Sequence, residues 1–274
     1  MSNFSVLMSI YKNEKPEHLK ECIDSILYNS IRPEEIVMVK DGPLPFSLEN
    51  ILEEYQRRTN LFTFVIHKEN QGLGIALRDG LLKCKNEIVA RMDTDDICHP
   101  QRFEKQLLFL KENPEIAMVG SNVEEFSLSF HHPDQLVIYP SGNKKTVEFA
   151  KKRNPLRHPT IMFRKSAVLA SGNYRHFLWF EDYDLFVRML LKNFKIDNLQ
   201  EVLVYCRADK ELFKRRGGLR YLKQDLLFQK FMLESKFINI REFLFNCTVR
   251  GIVRIMPNDG REWIYKFFLR KKYK

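Results

Sequence analysis

The 274-residue chain predicts an α/β fold: a mostly parallel central sheet flanked by helices, followed by a basic helical C-terminal extension. Three observations carry this. Short apolar runs at Phe4–Ile10, Glu35–Val39, Phe62–His67 and Ile88–Met92 are separated by segments of helical periodicity. Three of the first four runs end in turn or acidic residues: Lys40-Asp41-Gly42-Pro43, Asn70-Gln71-Gly72-Leu73-Gly74 and Asp93-Thr94-Asp95-Asp96. The charge is also unevenly divided. From Arg207 to Lys274 there are 18 Lys and Arg against 7 Asp and Glu, a net +11, whereas the preceding 206 residues hold 27 and 28, a net −1. Two units follow from this, 1–207 and 208–274.

The elements fall in order. Phe4–Ile10 is a buried strand, and Pro16–Tyr28 a helix with Leu19, Cys22, Ile23, Ile26 and Leu27 on one face. Strand Glu35–Val39 leads to a helix over Ser47–Arg58, and strand Phe62–His67 to a helix over Ile75–Cys84. Ile88–Met92 is the fourth strand and Pro100–Lys111 the next helix. Beyond the strand Glu115–Val123 the pattern is less regular. Asn154–Pro159 is a rigid connector into a short strand, Thr160–Phe163. Trp179–Asp184 opens a helix through Leu191, Phe194–Tyr205 returns to strand, and the remainder is helical, broken at Gly217-Gly218 and Pro257–Gly260.

Composition narrows the class. The chain is 44% hydrophobic and 29% charged, which is globular, with no repeat or low-complexity segment. Met1–Ser9 lacks the basic start of a signal peptide, and no stretch reaches the ~20 apolar residues of a membrane span. Five cysteines without CxxC spacing fit a reducing compartment and no zinc site.

Arg91-Met92-Asp93-Thr94-Asp95-Asp96 is the most informative run. Three carboxylates within four residues repel one another and call for a counter-charge, for which a divalent cation bridging a diphosphate is suited. A solvated loop whose Asp95 or Asp96 caps the following helix is the competing account, and the triplet alone favours it. Asp41, Asn70 and Asp93–Asp96 all fall at strand carboxyl ends, where parallel sheets collect ligands. That coincidence favours the cation.

The ordered set of motifs resembles family 2 glycosyltransferases with the GT-A fold, over roughly residues 4–207. Ser5–Glu14 resembles their opening strand and nucleotide loop, and Glu35–Gly42 their second strand. Asn70–Gly74 with Ala76, Leu77 and Arg78 resembles their Asn-x-Gly turn and helix. Arg91–Asp96 with Pro100 and Arg102 is similar to their DxD region, and Trp179-Phe180-Glu181-Asp182 to their acidic pair. Lys40 stands where many relatives carry a second Asp. Lys-Asp-Gly-Pro resembles the branch of bacterial exopolysaccharide assembly, the amylovoran-type transferases.

The resemblance implies an inverting, metal-dependent glycosyltransferase. It would move a sugar from a nucleotide diphosphate donor, a UDP-sugar, to a saccharide acceptor on a lipid diphosphate, in surface polysaccharide biosynthesis. It implies Asp182 as the catalytic base, and Asp95 as the main ligand of Mn²⁺ or Mg²⁺. Asp93 becomes a second ligand or ribose contact, and Asp96 a helix cap or outer residue. Ser9, Tyr11, Glu14, Asp41, Asn70 and Arg78 are assigned to the nucleotide sugar, with Tyr11 stacking on a pyrimidine. Arg78 is equally well a solvated helix residue. Glu181 and His158 are assigned to the acceptor side, and Glu181, Asp184, Trp179 and Phe180 to an environment that raises the proton affinity of the base. Without the resemblance, Glu181 and Asp182 read as ordinary acids in a first helical turn.

In the tail, Phe245, Val249, Ile252, Val253 and Met256 recur at helical spacing, and Trp263, Ile264, Phe267 and Phe268 precede Arg270-Lys271-Lys272. Aromatic residues beside cations suit an anionic membrane surface, giving a cytoplasmic protein peripherally bound to the inner face of the cell membrane. Packing of these helices on the body is the alternative. A non-catalytic nucleic-acid-binding protein would use the tail but leave the acidic triplet unexplained, so no nucleic acid is expected as partner. A sugar nucleotidyltransferase would need a Gly-rich loop after the first strand, where Ser9–Glu14 has no glycine.

Overall fold

In the computed structural model, which describes residues 3–208, 217–256 and 271–272, β1 (Phe4–Ile10) has both faces covered. Phe4, Val6, Met8 and Ile10 belong to one hydrophobic core and Leu7 to a second, as the two-residue period of a strand requires. The first core is completed by α1 (Pro16–Leu27), α2 (Phe46–Arg58) and α4 (Arg102–Glu112). The second draws on α3 (Leu73–Lys83), α6 (Lys165–Ala170) and α7 (Glu181–Leu191).

β2 (Glu35–Asp41) and β3 (Phe62–His67) add in parallel on one side of β1, and β4 (Ile88–Arg91) in parallel on the other. The chain thus leaves β1 in one direction and returns across it, a switch point between β1 and β4. The Tyr11–Glu14 and Asp93–Asp96 loops leave the carboxyl ends of those two strands. Beyond β4 the sheet turns mixed. β8 (Met162–Arg164) runs antiparallel to β4 and to β6 (Ile116–Phe126). β9 (Lys195–Arg207) is parallel to β6 and antiparallel to β5 (Ile97–Cys98). β7 (Gln135–Val137) pairs with β6, and β10 (Lys271–Lys272) pairs with β7 at the edge.

Differences from the sequence expectation have local causes. β6 runs to Phe126 because β7 and β9 both pair with its far end. Thr160 lies in a 3-10 turn, His158–Thr160, with its hydroxyl donating to the Arg157 carbonyl at 2.7 Å, so the strand starts only at Met162. The short β5, β7, α5 (Asn143–Ala150) and α6 carry too few residues for a period to show. Lys271–Lys272, expected within a helical remainder, is an edge strand.

Helix α4 starts at Arg102, with Gln101 in the capping position and no side-chain cap. Neither Asp95 nor Asp96 caps it, contrary to the expectation for Asp96. That carboxylate instead accepts the backbone N–H of Arg207 at 2.8 Å, because β9 ends beside it.

Two further helices, α8 (Leu219–Glu234) and α9 (Ile240–Ile255), cover α7. Phe180, Tyr183 and Val187 form a third core with Tyr221, Phe228, Met232 and Ile238. Asn239 and Glu242 start α9 with a reciprocal capping box. Arg250 and Arg254 turn inward onto the fully buried Asp225 of α8, at 2.7 and 3.1 Å. Ile240, Leu244, Phe245, Val249 and Ile252 remain exposed on α9. Among the described residues no helix is long and apolar enough to cross a membrane. The aromatic run Trp263–Phe268 and Arg270 lie outside the described residues.

Candidate active site

The site begins where β4 ends. One carboxylate oxygen from each of Asp93, Asp95 and Asp96 lies within 4.8 Å of the others. Arg91, only 1% exposed, donates through Nη2 to Asp93 Oδ1, while its Nε and Nη1 find no partner among the described residues. Arg102 braces the strand end from beneath, donating to the Arg91 carbonyl at 2.7 Å. The Cys22 thiol donates to the Asp93 carbonyl at 3.0 Å, tying α1 to the same turn.

Glu14, carried there by the loop after β1, accepts the Thr94 hydroxyl. Burial raises its carboxyl above the ordinary range; the Asp93 charge adds to the rise and the Thr94 hydrogen bond opposes it. Burial also raises Asp95 and Asp96, with the neighbouring acids adding to it. Asp93 has Arg91 and Asp96 has the Arg207 N–H, whereas among the described residues no cation pairs with Asp95. Crowded, shielded carboxylates of this kind bind protons or hard cations; an all-oxygen set fits Mn²⁺ or Mg²⁺.

Asp41 and Asn70 meet as expected, in a pinned turn. Asp41 accepts the N–H groups of Gln71 at 2.8 Å and Gly72 at 2.9 Å, with His67 Nδ1 also at 2.9 Å; Asn70 Nδ2 donates back to the Asp41 carbonyl at 3.2 Å. Gly42 is required here: its φ is +92° and a Cβ would lie 2.8 Å from the Asn70 nitrogen. Ser9 is partly buried near the end of β1, and Tyr11 is exposed just beyond it. Arg78, one turn into α3, pairs with Asp79 at 2.8 Å.

The acid pair lies at the start of α7. Asp182 accepts Asn154 Nδ2 at 2.6 Å on one oxygen and the Tyr183 N–H at 2.7 Å on the other. Burial, then the Asp182 charge, pushes the Glu181 carboxyl up to about 8. Glu181 therefore holds its proton more tightly than an ordinary carboxyl. The Asn70–Gly74 turn and the acid pair touch, since a Cβ on Gly74 would lie 3.2 Å from Glu181 Cβ and 2.4 Å from the Arg175 carbonyl. Asp184, expected to add anionic surroundings, is fully buried between Arg175 and Arg188 and anchors α7 instead. His158 is buried, 3.1 Å from the Tyr174 hydroxyl. Burial, then the charges of Arg91 and Arg157, hold it well below the ordinary histidine range, so it is uncharged.

Asn154, Arg91, Tyr174 and the Arg207 N–H were not assigned roles from sequence. Asn154 and Arg207 are brought in by tertiary contact across 28 and 111 residues. Only Arg91 carried a signal, as a cation preceding an acidic run.

Residues 5–171 match the model of "Glycosyl transferase family 2". The chain is 36% identical over 265 residues to the amylovoran biosynthesis glycosyltransferase AmsE of Erwinia amylovora, covering 96% of this chain and 98% of that one. It is also 36% identical over 270 residues to the UDP-Gal:alpha-D-GlcNAc-diphosphoundecaprenol beta-1,3-galactosyltransferase of Escherichia coli, covering 98% and 97%. Among solved structures, S. aureus TarS 1-349 in complex with UDP-GlcNAc superposes with a TM-score of 0.70 at 16% identity, over 97% of this chain and 76% of that one. The mannosyltransferase PcManGT from Pyrobaculum calidifontis, in complex with GDP-Man and Mn2+, gives 0.63 at 12% identity over 95% and 72%. At such identities the likeness concerns the fold, which is GT-A. The non-catalytic nucleic-acid-binding alternative falls with these matches: the chain belongs to glycosyltransferase family 2, in its exopolysaccharide branch, and is a glycosyltransferase.

Proposed function

We propose that this enzyme transfers a sugar, with inversion, from a UDP-sugar to a hydroxyl of a saccharide carried on a lipid diphosphate, in a metal-dependent reaction of surface polysaccharide assembly. The observation that carries this is the pairing of two unlike acidic sites: a shielded three-carboxylate cluster and, facing the Asn70–Gly74 turn, a split acid pair. A UDP-sugar and a lipid diphosphate acceptor are supported by the printed name of the E. coli relative.

Asp95 is the main ligand, Asp93 a second ligand or ribose contact, and Asp96 lies behind them. A bound Mn²⁺ or Mg²⁺ supplies positive charge to the leaving diphosphate. Ser9, Tyr11, Glu14, Asp41, Asn70 and Arg78 surround the nucleotide, with Tyr11 on the pyrimidine. Asp182 takes the proton of the acceptor hydroxyl on a carboxylate oriented by Asn154 and the Tyr183 N–H. One base and one leaving group give a single displacement, hence inversion. Glu181 and, through Tyr174, His158 shape the acceptor side.

Residues 208–274 form the membrane-facing unit, resting at the cytoplasmic face of the cell membrane. The exposed apolar residues of α9 and the net +11 from Arg207 onward support this. Flotation with anionic vesicles, lost on removing 257–274 and on Phe245→Ser, tests it. The donor site is tested by thermal shift with UDP and GDP, with and without Mn²⁺. No metal-dependent stabilisation by either nucleotide overturns the donor assignment.

A further inference from the structure

Trp179 stands at the entry to α7, and three observations set it apart. Its backbone is left-handed, φ +66°, at the third position of a turn closed by the Phe180 N–H donating to the Phe177 carbonyl at 2.8 Å. Glycine or asparagine fills such a position without strain, and a bulky aromatic residue does not. Yet the indole is not buried as compensation: Trp179 is 37% exposed, whereas the neighbouring Phe180 is 4% exposed and fills the third core. Backbone strain held for a half-open aromatic ring points to use of that ring.

The second observation is its support. The indole stacks on Tyr221 of α8, with centroids 5.0 Å apart and planes at 18°. Tyr221 is itself backed by Arg254, 4.5 Å from its ring centre and bonded to the buried Asp225. The Arg220 guanidinium lies over the indole ring, 5.7 Å from its centre. The third is its position. Trp179 precedes Glu181 by two residues and Asp182 by three, while Glu181 meets Gly74. The first turn of α7 thus touches the Asn70–Gly74 turn through Glu181 and directly follows the stacked Trp179 in the chain.

We propose that Trp179 is the platform on which a pyranose ring of the acceptor saccharide lies, with Tyr221 as the positioning residue that holds it. This rests on the acceptor chemistry proposed above. The apolar C–H face of a pyranose suits the electron-rich face of an indole, and Arg220 sets a donor beside it for hydroxyl or phosphate oxygens. Stacking fixes the ring's orientation, which a base on one side of the acceptor needs in order to select one hydroxyl.

The chain has two tryptophans, so Trp263→Phe leaves Trp179 as the sole indole reporter. With UDP and Mn²⁺ present, titration of this variant with a short-chain N-acetylglucosaminyl diphospholipid, and with the free saccharide, should change the Trp179 emission saturably. Trp179→Ala should raise the acceptor KM by roughly 10- to 100-fold, the range of one aromatic contact, with the donor KM unchanged. Trp179→Phe, which keeps a stacking ring, should recover most of the loss. An emission that ignores every saccharide overturns the platform, as does an acceptor KM unmoved in Trp179→Ala. A loss shared equally by donor and acceptor KM makes Trp179 merely structural. Response to the free saccharide without transfer to the diphospholipid supports the platform and rejects the lipid carrier. Failure of UDP and Mn²⁺ to stabilise the wild-type chain marks failure of the donor reading instead.

Discussion

At the end of β4, one carboxylate oxygen from each of Asp93, Asp95 and Asp96 lies within 4.8 Å of the others; at the start of α7, Glu181 and Asp182 are neighbours in different surroundings. The first cluster is left with negative charge that Arg91 and the Arg207 N–H only partly offset. The second raises the proton affinity of Glu181 and gives Asp182 two fixed donors. Acid residues alone therefore do not define a function. Crowding without enough donors suits a cation, as proposed for the first cluster, whereas directed hydrogen bonds on one member of a pair suit the proton acceptor proposed for the second.

Exchanging one carboxylate in each half separates them most sharply. Asp182→Asn is expected to lower kcat by roughly 10²–10⁴-fold while thermal stabilisation by UDP and Mn²⁺ persists. Asp95→Asn should remove that stabilisation along with activity. Near-wild-type turnover in Asp182→Asn, or identical ligand responses in the two variants, would break the division of roles.

The helix that carries the acid pair also leans on α8 through the third core. Asp225→Ala leaves Arg250 and Arg254 facing a buried position without their counter-charge, a loss of about 3–5 kcal/mol by urea unfolding. Below the melting temperature the variant should still bind UDP with Mn²⁺. A stability change under about 1 kcal/mol would mean that those arginines find other partners, and that this contact is no stronger than a surface pair.

Where the halves touch, Gly74→Ala drives a Cβ toward the Arg175 carbonyl and Glu181 Cβ. Overpacking of this kind costs roughly 1–3 kcal/mol. Because the strain falls on the first turn of α7, the variant should lose kcat by a larger factor than it loses donor KM. Unchanged kinetics would show that the contact yields freely.

The smallest effect is in pH. Glu181 is raised to about 8 and Glu14 is raised as well, so the folded chain holds protons that the unfolded chain releases above about pH 4.5. Their contribution to stability is complete below that point and is lost as pH rises through the folded values. Tm of the metal-free protein should fall between about pH 6 and pH 8.5, at roughly 2–4 °C per kcal/mol lost. Mn²⁺ should flatten the part owed to the donor half and leave the Glu181 part. A Tm that climbs through this window would contradict the shielding of both groups.

Much of the placement at the strand ends was legible because it is local. Asp93, Thr94, Asp95 and Asp96 are consecutive or nearly so, and a buried strand forces the loop after it to the sheet's carboxyl edge. Asp41 and Asn70 were legible for the same reason, though their mutual pinning through the Gln71 and Gly72 N–H groups was not. The acid pair was visible as residues, with roles implied by the resemblance, but its hydrogen bonding was not, since the partner that orients Asp182 lies 28 residues away on the Pro-rich connector. Of the two expectations for Asp96, helix cap or outer residue, the cap fails because its partner, the Arg207 N–H, arrives from a strand 111 residues later.

By itself, then, the sequence determined the alternating elements of β1 through α4, the position of the acidic run at a strand end and the family, since each depends on spacing within a few residues. Tertiary structure alone decided which carboxyl holds its proton more tightly, that Asp184, Arg250 and Arg254 are anchors, and that Trp179 stands half-open on Tyr221 beside the acid pair. The physical reason is that proton affinity, ion pairing and ring stacking depend on burial and on distances across space, which residue spacing along a chain does not carry.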